Sequence, residues 1–366
     1  MSALFEPLTL RASTIRNRVW MSPMMQFASD ATGVATDWHF QHFAARAPGG
    51  VGLAMVEATS VMPDGRASDF DLGLWNDDQA ESHRRIIDFL HGQGTAAGIQ
   101  LVHGGRKAST GRPWSTEPDR TWQTVAPSAV AFGDSPPPVA LSVDEIAEVV
   151  RAFASSAGLA RDAGFDVLEI HGAHGYLIHQ FLSPAANHRT DEYGGPLANR
   201  MRFAVEVVDA VRRQWPEDRP LFFRVSATDW LAGDTDDPRP GWTLDDTVAL
   251  ASTLSDHGVD LFDVSTGGIV PDARIPVEPG YQVRFAAEVR RRAEIPTAAV
   301  GLITEPDQAE GIVDSGDADA VFLAREILRN PNWAQHAARA LGEPLRFPPN
   351  YSRAFARTSA ASSIRS

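Results

Sequence analysis

The sequence predicts an α/β fold, a closed (β/α)8 TIM barrel that occupies residues 1–345 as one domain. Three observations carry that expectation. Short apolar runs alternate about eight times with longer amphipathic segments, the number a closed barrel needs. Several of those runs are continuously apolar, as strands are when both faces of their sheet are covered. No Gly-x-Gly-x-x-Gly turn follows an early strand, which disfavours the open doubly wound sheet, the structural competitor.

The expected strands, in order, are 18–22, 52–57, 97–102, 167–171, 221–226, 261–265, 297–300 and 320–323. Expected helices cover 142–163, 199–214, 244–257, 283–293, 305–314 and 332–341. In the first of these, Ile146, Val149, Val150, Phe153, Ala157 and Ala160 recur at spacings that place them on one face. Ser142 with Glu145 three residues on forms a capping-box pattern at its start. Three insertions, 106–141, 189–196 and 228–242, follow strand C-termini, the end where barrel enzymes assemble their sites. Residues 346–366 form a C-terminal tail whose end, 358–366, is expected to fray.

Asp and Glu outnumber Lys and Arg by 47 to 33 in the 366 residues, a formal charge of -14. Nucleic acid and anionic membrane surfaces demand clustered basic residues, so neither is expected as a partner. The absence of cysteine excludes disulfides, thiolate catalysis and cysteine-held metal or iron–sulfur centres. No apolar run of about 18 residues occurs, nor a basic-then-apolar leader over 1–11, so a soluble cytoplasmic protein is expected.

The richest stretch for chemistry is Glu169-Ile-His171-Gly-Ala-His174-Gly-Tyr176, at the end of the fourth expected strand. Two imidazoles and a phenol at a barrel mouth suit polarising a carbonyl oxygen and delivering a proton, because an ordinary phenol stays protonated at neutral pH. The flanking glycines leave backbone room for a ligand. A purely structural histidine pair and a metal site are the alternatives, the latter without an obvious third ligand nearby.

Gln100 and Arg224 lie inside apolar strands, where a polar side chain needs a partner to offset desolvation. Gln100 could meet the donor–acceptor edge of a flat heterocycle and Arg224 an anionic ring; pairing with barrel neighbours is the alternative. Gly301, Ala324 and Arg325 follow the seventh and eighth strands, the corner where barrels often hold a phosphate. An arginine there serves equally well as a salt-bridge partner. Met21-Ser22-Pro23-Met24-Met25-Gln26-Phe27 ends the first strand and could be site or core packing.

Taken in order, these stretches resemble the Old Yellow Enzyme family of flavin-dependent ene-reductases over approximately 4–355. The carrying motifs are Met21-Ser-Pro-Met24, Val56-Glu-Ala58, Ile99-Gln100-Leu-Val-His103-Gly-Gly-Arg106-Lys and Val125-Ala-Pro-Ser128. They continue with His171-Gly-Ala-His174-Gly-Tyr176-Leu, His188-Arg-Thr-Asp191-Glu-Tyr193-Gly-Gly195, Arg224-Val-Ser226 and Ala324-Arg325. The compact loops are similar to the branch typified by thermophilic and related bacterial members.

The resemblance implies non-covalent FMN across the barrel mouth, with NADPH or NADH as hydride donor. Ser22, Pro23, Met24, Met25, Ala58, Gln100 and Arg224 would then adjoin the ring system, and Gly301, Ala324 and Arg325 the phosphate. His171 and His174 would bind the carbonyl oxygen of an α,β-unsaturated substrate, Tyr176 would donate a proton, and Phe27 would border the substrate. The implied cycle is ping-pong: the nicotinamide reduces the flavin and leaves, then hydride passes to the substrate's β-carbon while Tyr176 protonates the α-carbon. The tail 349–355 resembles one that reaches a neighbouring subunit, making Arg353 a trans-acting candidate and a homodimer or homotetramer the expected assembly. Two positions depart from the branch. Met25 stands where a cysteine is usual and Phe27 where a tyrosine is usual, implying a shifted flavin potential and a more apolar pocket. Trp38, Phe40 and Trp114 are further candidates for the pocket wall. The alternatives are a flavin enzyme of the same architecture that oxidises or rearranges a natural product, and a flavin-free, metal-dependent or phosphate-binding lyase or isomerase.

Overall fold

Eight parallel strands close on themselves in the computed structural model, which describes residues 2–115, 120–232 and 235–355. They are β1 (Val19–Met21), β2 (Leu53–Ser60), β3 (Ala96–Val102), β4 (Val167–Gly172), β5 (Leu221–Ser226), β6 (Leu261–Ser265), β7 (Thr297–Ala299) and β8 (Ala320–Leu323). Each pairs with the next, and β8 closes the circle through Val321↔Val19 and Leu323↔Met21. The expected TIM barrel is therefore the fold. β2 runs beyond its expected end at 57 because a bulge between Val56 and Ala58 shifts its register and lets pairing with β3 continue to Ser60↔Val102.

The helices are α1 (Asp37–Arg46), α2 (Asp77–Gly92), α3 (Val143–Ala163), α4 (Leu177–Leu182), α5 (Leu197–Arg212), α6 (Leu244–Asp256), α7 (Val283–Ala293), α8 (Pro306–Asp314), α9 (Arg325–Arg329) and α10 (Trp333–Ala340). At the start of α3 the Ser142 backbone N–H donates to Glu145 Oε2 at 2.7 Å, and Ser142 Oγ accepts from the Glu145 N–H at 3.3 Å, as the capping box predicts. Helices α1 and α2 escape apolar periodicity for a chemical reason. Their buried faces include His39, His42 and Arg46 in one and Gln79 and His83 in the other.

Side-chain parity along the strands divides the interior into storeys. At the lower end, Trp20, Leu53, Met55, Val167, Phe222, Leu261, Ala298 and Phe322 fill the barrel with apolar volume. Trp20 stacks on Phe222 at 5.6 Å and meets Phe322 edge-on at 5.3 Å. An antiparallel hairpin of Leu8–Leu10 and Ser13–Ile15 plugs that end, contributing Leu10 and Ile15 to the same cluster. Two residues further up each strand the same parity delivers Gln100, Glu169, Arg224 and Asp263, all buried, and two further again His171, Ser226 and Ser265. The opposite parity, including Ile99, Ile170, Phe223 and Val264, packs outward against the helices. Apolar floor and polar mouth are thus written on the same strands.

The expected fraying segment 358–366 lies outside the described residues, as do 116–119 and 233–234 within two of the insertions. No helix among the described residues is long and apolar enough to cross a membrane.

Candidate active site

The turn after β4 positions the three residues the sequence singles out. His174 adopts φ 55° and Gly175 φ 74°. A side chain at 175 would place Cβ 2.1 Å from the Gly268 carbonyl oxygen, so glycine is required there both by conformation and by space. A histidine at positive φ persists only where its surroundings hold it. Here its N–H donates to Ser226 Oγ at 2.9 Å, and its carbonyl accepts from Lys107 Nζ at 2.8 Å. The Gly175 N–H donates to His179 Nδ1 at 2.9 Å, and His179 Nε2 lies 2.8 Å from Asp229 Oδ1 in the core.

The result is a convergent group. His171 Nε2 and His174 Nδ1 face each other at 3.3 Å, and the Tyr176 ring meets the His171 ring edge-on at 4.9 Å. His171 is buried, while His174 and Tyr176 are half-buried at the mouth. Burial first, and the nearby Arg224 second, hold both imidazoles well below their ordinary pKa, so both are neutral at pH 7. Burial, reinforced by Asp71, pushes the Tyr176 phenol up to about 12, which keeps its proton in place. Its hydroxyl points toward the Met25 sulfur at 3.6 Å, a weak acceptor.

Below this group lies a buried polar layer. Gln100 Nε2 donates to Glu169 Oε1 at 2.7 Å, Arg224 Nε lies 3.1 Å from Asp263 Oδ2, and Arg224 Nη1 donates to Ser22 Oγ at 3.4 Å. Two carboxyls share one guanidinium here, and a second buried charge without a partner would be costly. Burial accordingly drives Glu169 well above the ordinary carboxyl range, with Asp263 adding to it. Asp263, also raised by burial but opposed by Arg224, rests at about 6. Of the two alternatives raised from sequence for Gln100 and Arg224, the structure shows the barrel partners: Glu169 for Gln100, and Asp263 and Ser22 for Arg224.

The corner above β7 and β8 is a separate pocket bordered by Gln282, Gly301, Ala324 and Arg325. Gly301 sits at φ 119°, and a Cβ there would approach Gln282 Nε2 to 2.8 Å. Arg325 opens the short helix α9 and is exposed, and no carboxylate pairs with it among the described residues, whereas Glu326 pairs with Arg329. An open cradle with an uncommitted cation suits a phosphate.

The β1 loop brings Pro23, Met24, Met25 and Phe27 to partly buried positions, with the Gln26 N–H anchored on Glu57 Oε1 at 2.8 Å. Ala58 is buried just past the β2 bulge. Phe27, at φ 51°, meets Trp114 edge-on at 5.3 Å. Trp38 lies outside the core, its indole N–H reaching Gln26 Oε1 at 3.2 Å, and Phe40 packs on Phe89. Arg353 is exposed in the short helix Ser352–Phe355. Among the described residues no group of three or more His, Cys, Asp or Glu could hold a metal ion. The residues that sequence reasoning passed over are Lys107, Asp263, Ser265 and Gln282. Strand parity is the signal that could have found Asp263 and Ser265, which share the inward register of Leu261.

The sequence model of the NADH:flavin oxidoreductase / NADH oxidase family matches residues 3–343. The chain belongs to this family. It is 48% identical over 357 residues to an NADPH dehydrogenase of Listeria innocua, covering 97% of this chain and all of that one. Its fold is similar to an old yellow enzyme homologue from Zymomonas mobilis at 28% identity and TM-score 0.76, over 94% of each chain. Morphinone reductase in complex with tetrahydroNAD aligns at 28% identity and TM-score 0.72, over 95% of this chain and 93% of that one. The chain is thus an Old Yellow Enzyme-type flavin oxidoreductase that uses FMN and a reduced nicotinamide. The chemistry of the residues present fits the cofactor: the Gly301 corner, with Arg325 beside it, has room and charge for a phosphate, and the buried Gln100 and Arg224 offer amide and guanidinium groups to a polar ring.

Proposed function

We propose that the chain reduces the activated C=C bond of α,β-unsaturated carbonyl compounds by a ping-pong hydride transfer. The observation that carries this reading is the convergence of two neutral imidazoles and a protonated phenol on one small volume at the barrel mouth. Bound FMN supplies the hydride, which it obtains from NADPH or NADH. The floor for its ring would be Ser22, Pro23, Met24, Met25, Ala58, Gln100 and Arg224, and its phosphate would rest on Gly301, Ala324 and Arg325.

The protein's own part is electrostatic and acid–base. His171 and His174 direct hydrogen-bond donors at the substrate oxygen, where negative charge grows as the alkene is reduced. Donors placed for that charge stabilise the transition state more than the ground state, each by about 2.7–4 kcal/mol in well-organised sites. Tyr176, held protonated, delivers its proton to the α-carbon. Met25 in place of an ionisable thiol, and Phe27 in place of a phenol, leave the substrate wall more apolar. Arg353, from the tail 346–366, would complete the pocket of a neighbouring subunit in a homodimer or homotetramer.

The test is anaerobic turnover of NADPH with 2-cyclohexenone, maleimide and a nitroalkene, with product analysis. Stoichiometric saturated product supports the reading. Consumption of NADPH only when oxygen or a quinone is supplied, with every alkene untouched, would overturn it.

A further inference from the structure

The hydrogen bonds around the histidine pair run in one direction, which suits a bound substrate oxygen at His171 but is opposite to what it requires at His174. The Ala173 N–H can only donate, and it points at His171 Nδ1 at 3.1 Å. In a neutral ring this leaves the proton on His171 Nε2, which faces His174 Nδ1 at 3.3 Å. His174 Nδ1 therefore accepts, and its own proton sits on Nε2, directed at Ser265 Oγ at 2.7 Å. Ser265 in turn donates to Gln282 Oε1 at 3.2 Å, and Gln282 Nε2 donates to the Val300 carbonyl at 3.1 Å. His171 is a committed donor. His174 is a donor toward the mouth only if its proton moves from Nε2 to Nδ1.

We propose that Ser265 is the positioning residue that sets the tautomer of His174, turning from acceptor to donor when a carbonyl or phenolate oxygen enters between the two rings. This inference rests on the reading that the histidine pair binds that oxygen. The ring stays neutral through the change: Nε2 releases its proton to water in the Gly301 corner, which Ser265 borders, and Nδ1 takes one from water or the incoming phenol at the mouth. A hydroxyl both accepts and donates, so Ser265 then turns to donate to His174 Nε2 without moving its heavy atoms. The reversal withdraws its donation to Gln282 Oε1, but Thr266 Oγ1 continues to donate to that oxygen at 2.8 Å. No buried acceptor is stranded in either state, and so the switch costs little. Ser265 and Gln282 also border the Gly301 corner, linking the histidine tautomer to the strand that forms the phosphate cradle.

The test uses the flavin-loaded enzyme, with 4-nitrophenol as the oxyanion probe and 15N-histidine labelling as the tautomer readout. The His174 signals are identified by their loss in His174→Ala. In the wild type, adding the probe should move His174 from protonated Nε2 to protonated Nδ1. Ser265→Ala should bind the probe about tenfold more weakly, since His174 Nε2 loses the hydroxyl partner 2.7 Å away. Ser265→Thr, which keeps the hydroxyl, should restore both affinity and the tautomer change. If Ser265→Ala binds the probe as the wild type does while His174→Ala does not, this inference fails and the histidine-pair reading stands. If His174→Ala and His171→Ala both bind it normally, the reading itself fails.

Discussion

Replacing Tyr176 by Phe removes one hydroxyl whose protein contact is the Met25 sulfur at 3.6 Å. A thioether is a weak acceptor, so the fold loses little and the variant should denature within about 0.5 kcal/mol of the wild type. The chemical cost is far larger. The phenol, pushed up to about 12, is protonated throughout the working range, and its loss removes the proton donor assigned to the α-carbon. The neighbouring imidazoles, held neutral by burial and Arg224, are poor replacements. General acid catalysis is worth about 10²–10⁴-fold, and reoxidation of the reduced enzyme by 2-cyclohexenone should slow by that range. Reduction by NADPH needs no proton from Tyr176 and should stay within about threefold, since its hydride transfer involves no general acid. Stopped-flow absorbance at the flavin band measures the two half-reactions separately. Unchanged reoxidation, or an equal fall in both halves, would refute the reasoning.

Three other outcomes follow from the geometry. Gly175→Ala forces Cβ to 2.1 Å from the Gly268 carbonyl at a positive φ, so the turn between His174 and Tyr176 must shift. Phenol binding and alkene reduction should both fall by more than about tenfold, with a loss of stability of about 1–3 kcal/mol, read by ligand titration and urea denaturation. Arg325→Ala should weaken FMN by about 1.5–3 kcal/mol, the worth of a charged hydrogen bond, and leave riboflavin affinity unchanged, as fluorescence titration of the apoenzyme would show. Burial, with Arg106, lowers Lys107 to about 8, and its ammonium holds the His174 carbonyl at 2.8 Å. The charge is present below that value and lost above it, so alkene reduction should decline as pH rises through about 8, and Lys107→Gln should remove the inflection from the pH–rate profile.

Much of this molecule was legible in its sequence because the barrel strands are unusually apolar. The bounds expected for 221–226, 261–265 and 320–323 are those observed in β5, β6 and β8. Helix α3 announced itself through both its stripe and its cap. Helices α1 and α2 did not, since histidine, glutamine and arginine occupy buried positions that hydropathy treats as surface. At the site, His171, His174 and Tyr176 were visible as a dense polar motif, and the structure brings all three together. Ser265 and Asp263 were missed because they are two polar residues in one short strand with no motif around them. Only the parity they share with Leu261 marks them as facing inward. Gln282 precedes α7 with no motif around it, and its place beside Gly301 depends on how the loop after β6 folds back over the barrel. Lys107 is carried to the His174 carbonyl by the turn Gly105–Lys107, a tertiary contact that spacing alone does not encode.

The account turns on one oxygen position between two rings. A crystal structure of the flavin-loaded enzyme with 4-nitrophenol measures it directly. The phenolate oxygen should lie within about 3.2 Å of both His171 Nε2 and His174 Nδ1, with the aromatic ring beneath the Tyr176 hydroxyl. A probe bound elsewhere, or an oxygen that touches neither imidazole, would contradict it.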